Sequence, residues 1–278
     1  MGTFAEDVIV ERLGDGLYRA VLDHSWDLVG GPQGGVLTAL GLRAAEVELA
    51  ERAGSLRSCT AVFAGRVSAG ELRIAVEVVR RGRTATQVAV GVHNVDAQSG
   101  TRLLAVYGSS RPGPRFVDVV PPLVPPPDQC RSFRDPLPEG VEPFEIWPFW
   151  TRVEGRPALG HAPWEEFTPT TSDVAGWYRF DTPPRLDDGS LDPLAVVTLA
   201  DRMPGCVGER VGRQEDPWFA PSADLTVHLF EPLRTEWLLA HDRARWADDG
   251  WASAETTLWD ERGGLIGYAT QVMFFTYR

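Results

Sequence analysis

One layout of elements occurs twice in this chain, and it limits the fold more tightly than any single motif. In the first copy, residues 7–11 and 17–22 read as strands around a Gly14-Asp15-Gly16 turn. Residues 36–53 read as a long helix, because Leu37, Leu40, Ala44, Ala45, Val47 and Leu49 share one broad apolar face. Four strands follow, at 58–67, 71–80, 84–94 and 102–109. Alternation is clearest for Leu72, Ile74, Val76 and Val78, and for Thr86, Val88, Val90 and Val92. The second copy has strands at 144–154 and 175–181, a second long helix opened by Asp192, and strands at 223–230, 237–247, 251–260 and 265–276. The hairpin turns correspond as well, 81–83 with 248–250 and 96–100 with 260–264, at an offset of about 165 residues. A helix followed by an antiparallel meander is an α+β pattern, and a helix this apolar needs a sheet curled around it. The expectation is two curled antiparallel sheets, each wrapped around a long central helix.

The two copies are separated by a stretch that no regular element tolerates. Pro112, Pro114, Pro121, Pro122, Pro125, Pro126 and Pro127 lie within residues 111–140. This divides the chain into 1–112, a Pro-rich linker at 113–140, and 141–278. Phe116, Val117, Val119 and Val120 argue that the linker docks on the surface instead of hanging free.

Charge and cysteine usage narrow the function classes. The formal net charge is −12 and no Lys/Arg-rich block occurs, which disfavours nucleic acid as the main partner. Any anionic ligand must therefore meet a local basic patch. The three cysteines, Cys59, Cys130 and Cys206, are odd in number and show neither zinc spacing nor a disulfide framework. No stretch reaches the ~18 apolar residues of a membrane helix, and no signal sequence is seen. The expected setting is a reducing cytoplasm, with no membrane partner.

Chemistry is most concentrated between Leu191 and Val211. Asp192 before Pro193 reads as an N-cap followed by proline at the first helical position. Leu194, Val197, Leu199 and Ala200 give a helical apolar run. Asp201 then stands where a core helix would not carry a charge, so it needs partners, a pocket or an exposed face. Pro204-Gly205 breaks the pattern. The second candidate is the run Gly30-Gly31-Pro32-Gln33-Gly34-Gly35 ahead of the first helix. Glycines at a helix start let a ligand approach free N–H groups. Neither the dinucleotide nor the Walker spacing is present, so polarisation of a substrate carbonyl is the better functional reading; close packing of the helix start is the structural one.

Other constellations are weaker. His24, His93, His161, His228 and His241 lack metal spacing, although His228 lies in a strand near Asp224. No G-x-S-x-G nucleophile elbow occurs. Arg80, Arg81 and Arg83 at a hairpin either face solvent or meet phosphates. Trp147, Trp150, Trp164 and Trp177 fill the core or an interface, or line a ligand tunnel.

The arrangement resembles the double hotdog fold of bacterial type II acyl-CoA thioesterases. The matching residues are Gly30 to Leu40, Phe63 to Gly70 and Val76 to Gly82 in the first half. In the second they are Leu199-Ala200-Asp201, Ser222 to Thr226, Glu236 to Leu239 and Ala269-Thr270-Gln271. The resemblance spans nearly everything except the linker. The chain departs from it at the second helix start, where Gly189-Ser190-Leu191-Asp192-Pro193 replaces a Gly-rich run. The resemblance implies a hydrolytic water held by Asp201, Gln271 and Ser222, with Asp224 or Thr226 as alternatives for the third place. It implies an acyl-CoA substrate met by Gly34, Gly35, Arg81 and Arg83, no cofactor or metal, and by analogy a homodimer or higher homo-oligomer. The hydrolysis needs no covalent intermediate: an Asp accepts the water's proton, a Gln amide donates and accepts, and backbone N–H groups hold the oxyanion. The alternative is a non-hydrolytic protein of the same fold that binds acyl thioesters or scaffolds a partner.

Overall fold

The computed structural model describes residues 2–50, 54–142, 146–212 and 218–277. The first half contains helix α1 (Phe4–Asp7), strands β1 (Glu11–Gly14) and β2 (Leu17–Leu22), and helix α2 (Gly34–Leu49). Strands β3 (Ser55–Phe63), β4 (Gly70–Arg81), β5 (Ala85–Asn94) and β6 (Thr101–Gly108) complete it. The second half contains β7 (Val153–Leu159), β8 (Asp173–Phe180), and the helices α3 (Pro193–Ala200) and α4 (Pro204–Val211). It ends in β9 (Asp224–Leu229), β10 (Leu238–Asp248), β11 (Trp251–Asp260) and β12 (Leu265–Phe274).

The strands form one 12-stranded sheet in the order β1-β2-β4-β5-β6-β3-β9-β12-β11-β10-β8-β7. Read outward from the centre, each half follows the same path, so the order is that of two like units joined at β3 and β9. The join is an antiparallel ladder from Asp224↔Val62 to His228↔Ser58. The hairpin between β10 and β11 closes through Asp249 and Gly250, both at positive φ, as the twist of paired strands favours.

Helix α2 is apolar over most of its surface because the sheet and helix α3 cover it except near its C-terminal end. Val36, Leu40 and Leu42 are fully buried, each contributing about 2–3 kcal/mol of apolar burial. Val47, which periodicity put on the inner face, is exposed. The second helix is not long. It stops at Asp201, which leaves helical geometry at φ −86° and ψ 70°, and resumes as α4 at Pro204. Proline lacks the N–H that would carry a helix through this point.

Three further expectations need correction. Residues 7–11 are not a strand: α1 runs to Asp7 with Thr3 as its cap, and β1 starts at Glu11. The strand placed at 144–154 lies later, at β7, after a short 3-10 turn at Pro148–Thr151; residues 144 and 145 are outside the described residues. In the linker, the only helical turn among the described residues is at Pro127–Gln129; Phe116, Val117, Val119 and Val120 are exposed, and the linker docks farther on, where the Pro125 and Pro127 carbonyls accept from Trp177 and Arg156 and Val124 packs on the Trp177 cluster. No described helix is long and apolar enough to cross a membrane.

Candidate active site

The join at β3 and β9 brings the two central helices side by side. Gly35, at the start of α2, lies against Thr198 near the end of α3, while Arg43, farther along α2, pairs with Asp192 at the start of α3. The helices therefore run antiparallel. Asp201, which caps the end of α3, is thereby set against the N-terminus of α2, where the helix dipole favours negative charge.

The approach is close because two glycines allow it. A Cβ on Gly35 would lie 2.9 Å from the Thr198 Cα and carbonyl oxygen, and one on Gly34 would lie 2.6 Å from the Phe63 ring. Gln33 then ties both helix ends together. Its Oε1 accepts from Val36 N at 2.9 Å, and its Nε2 donates to the Thr198 and Asp201 carbonyls, each at 2.9 Å. One side chain thus caps the start of α2 and the end of α3. The sequence gives no sign of this role for Gln33, because the two carbonyls it meets at the end of α3 are more than a hundred residues away.

Asp201 is 7% exposed. Its Oδ2 accepts from the Gly35 N–H at 2.7 Å and its Oδ1 accepts from Gln271 Nε2. The same Gln271 nitrogen donates to Ser222 Oγ at 2.8 Å. Gln271 Oε1 is buried and has no partner among the described residues. Burial raises the Asp201 pKa, and the hydrogen bonds from Gly35, Gln271 and Ser222 together with nearby Arg202 pull it back in part. Of the three candidates for the third polar residue, Ser222 is the one that reaches Gln271. Asp224 accepts instead from the Val272 N–H, and Thr226 meets Thr60 across the join.

Asp201, Ser222 and Gly34 line a cavity of about 640 Å³. Its walls are largely apolar, with the aromatic rings of Phe63, Trp147, Phe149, Trp150 and Trp218 among them. The Gly34 N–H is one of the donors that a helix start leaves without an intrahelical acceptor. The Gly35 N–H is already engaged by Asp201. Arg81 and Arg83 are not brought here. They are exposed at the β4–β5 hairpin, whereas the cavity meets the opposite end of that sheet region at Val67 and Thr101. Two cations line the cavity: Arg202, buried and paired with Asp242, and Arg66, exposed and hydrogen-bonded to the Gly30 carbonyl at 2.6 Å. Trp177 belongs to a separate apolar cluster with Trp237 and Trp259, and Trp164 lies against Arg131. His228 is exposed on the outer face beside Tyr268.

A carboxylate, a hydroxyl and a helix N-terminus on one cavity, with the buried Gln271 amide bonded to the first two, are groups suited to hold and deprotonate a water beside a carbonyl. Comparison with known proteins adds an independent finding. The sequence pattern of the acyl-CoA thioesterase C-terminal domain matches residues 127–275, and that of the acyl-CoA thioesterase N-terminal domain matches residues 22–109. No curated protein matches the chain in sequence. A hot dog fold protein of Alicyclobacillus acidocaldarius is 22% identical, with a TM-score of 0.83 over 99% of this chain and 98% of that one. A candidate thioesterase II of Thermobifida fusca is 26% identical, with a TM-score of 0.78 and the same coverage. An acyl-CoA thioesterase II of Mycobacterium marinum is 19% identical, with a TM-score of 0.76 over 99% of each chain.

Proposed function

Given that this chain belongs to the acyl-CoA thioesterase family, we propose that it hydrolyses an acyl-CoA to the free acid and CoA, with Asp201, Gln271 and Ser222 holding the attacking water. The observation that carries this is the buried Asp201 carboxylate, bonded to Gln271 and set on the cavity beside the start of α2. A water between these groups donates one proton towards Asp201 and another towards Gln271 Oε1. Its oxygen attacks the thioester carbon as Asp201 takes the proton. The carbonyl oxygen becomes an oxyanion next to the Gly34 N–H and the positive end of α2. Collapse of the tetrahedral intermediate breaks the C–S bond, and the proton held by Asp201 goes to the departing CoA sulfur. Arg66 at the cavity is the better-placed partner for the CoA phosphates than Arg81 and Arg83.

The test is CoA release from a panel of acyl-CoAs by the wild type and Asp201→Asn. The variant is expected to lose roughly a hundredfold or more in kcat. A wild type that binds CoA and turns over nothing on the panel, or a variant as active as wild type, removes the hydrolase reading; the former leaves a non-hydrolytic acyl-thioester binder.

A further inference from the structure

Gln33 is 3% exposed, and every polar atom of its side chain is engaged where α2 meets α3. Nε2 has two hydrogens and two carbonyls to meet, those of Thr198 and Asp201, while Oε1 faces the Val36 N–H. An amide turned the other way would set oxygen against oxygen, so its partners fix this orientation. The Asp201 carbonyl belongs to the end of α3, where a helix leaves carbonyls without an intrahelical donor, and Gln33 supplies one.

Gln33 also precedes Gly34 in the chain. It is therefore joined to one reacting group by a peptide bond and to the other by a hydrogen bond. The N–H groups that open α2 are shared out in the same way. Asp201 takes that of Gly35, Gln33 takes that of Val36, and that of Gly34, which borders the cavity, is left for a substrate oxygen. Gln33 and Asp201 lie 168 residues apart, so the spacing of base and oxyanion donor rests on contacts between the two halves. A shift of about 1 Å in such a pair can cost about a hundredfold in rate. Two bonds from one side chain on the end of α3 resist that shift.

Resting on the hydrolase reading above, we propose that Gln33 is a positioning residue for the reaction: its amide nitrogen sets the distance between the Asp201 carboxylate and the Gly34 N–H. Gln33 itself holds neither the water nor the thioester. The oxygen of its amide caps α2 and serves the fold; the nitrogen serves the chemistry.

Gln33→Glu separates the two roles. It keeps the size of the side chain and an oxygen for Val36, but replaces the nitrogen by an oxygen that repels both carbonyls. The experiment measures kcat and KM for the best substrate of the acyl-CoA panel, at the alkaline plateau of each pH profile, with folding checked by circular dichroism. Gln33→Glu should lose roughly tenfold to a hundredfold in kcat, with KM within roughly twofold of wild type. A variant with wild-type kcat, or one whose loss lies in KM alone, overturns the proposal. Should Gln33→Glu not fold, Gln33→Met, which has no donor, is read in the same way. If the wild type hydrolyses nothing on the panel, the hydrolase reading is what has failed. Amide hydrogen exchange followed by NMR then decides on Gln33. In Gln33→Glu the Gly35 N–H should exchange roughly tenfold faster, because Asp201 is no longer held against it, while the Val36 N–H stays protected. Unchanged protection of Gly35, or equal loss at Gly35 and Val36, overturns the proposal.

Discussion

Asp201 must stay ionised to take a proton, yet it sits where burial favours keeping one. With its pKa raised, the folded protein holds that proton more tightly than the unfolded chain does. Ionisation therefore costs stability as pH rises from the ordinary aspartate value through the raised one. Two outcomes follow. Activity should fall on acidification through a pKa above the ordinary aspartate range, a limb to be read from kcat against pH; a limb at the unperturbed value contradicts it. Asp201→Asn should melt at or above the wild-type temperature at neutral pH while losing turnover, since Asn still accepts from Gly35 and a turned Gln271 amide offers it Oε1. Gly35→Ala tests the close approach of the helices. Its Cβ has no room against Thr198, so about 1–3 kcal/mol of stability should be lost by urea unfolding, with a fall in kcat as Asp201 is displaced. Asp201 was legible in the sequence because a charge inside an apolar run ahead of Pro-Gly has few ordinary explanations. Ser222 was one of three choices, since the loop before it fixes no register. Arg66 was passed over for Arg81 and Arg83 because a cation's position on a strand does not reveal which end of the sheet meets a cavity.

The two helices meet at both ends, and the ends differ. Where α2 starts and α3 stops, glycines and a cavity surround Asp201. At the other end, where the internal symmetry would repeat that arrangement, Asp192 caps α3 through the Leu194 N–H and is paired with Arg43, which also holds Glu46 at 2.6 Å. The second helix start thus carries an ion cluster at the place where the first carries glycines and a cavity. Burial pushes Glu46 up to about 7 against the opposing pull of Arg43, with Asp192 adding to the rise. Because this folded-state value is above the unfolded one, stability should decline as pH climbs from about 5 to about 8. Glu46→Gln should flatten that slope in urea titrations across the range; an unchanged slope would place the titration elsewhere. Helix α2 and the alternating strands were readable from period alone. The break in the second helix was foreshadowed by Pro204-Gly205, but the separate course of α4 was not, because it depends on the space left by β7 and β8. The exposed Phe116 and Val120 mark the limit of composition as a guide: apolar side chains in a proline-rich stretch do not by themselves find a surface.

A duplicated chain can fold as two units or as one, and the join decides which. Val227 in β9 is fully buried and pairs with Cys59 on one side and Ala269 on the other, so it stands inside the ladder that connects the halves. Thr60 and Thr226 add a hydrogen bond at 3.1 Å across the same line. Beneath it, Gln33 from the first half holds carbonyls of the second. Either half alone would leave one edge of its innermost strand unpaired and the Gln33 bonds to the end of α3 unmade, and an exposed edge of this kind invites association. The chain should therefore unfold in a single calorimetric transition, with van't Hoff and calorimetric enthalpies equal. Val227→Pro removes a ladder donor and should cost about 3 kcal/mol or more, moving that one transition to lower temperature as a whole. Separation into two transitions, with one left at the wild-type temperature, would mean that the halves are energetically independent. The site would then be a contact between two stable bodies, and Asp201 would no longer owe its position beside α2 to the cooperativity of the sheet.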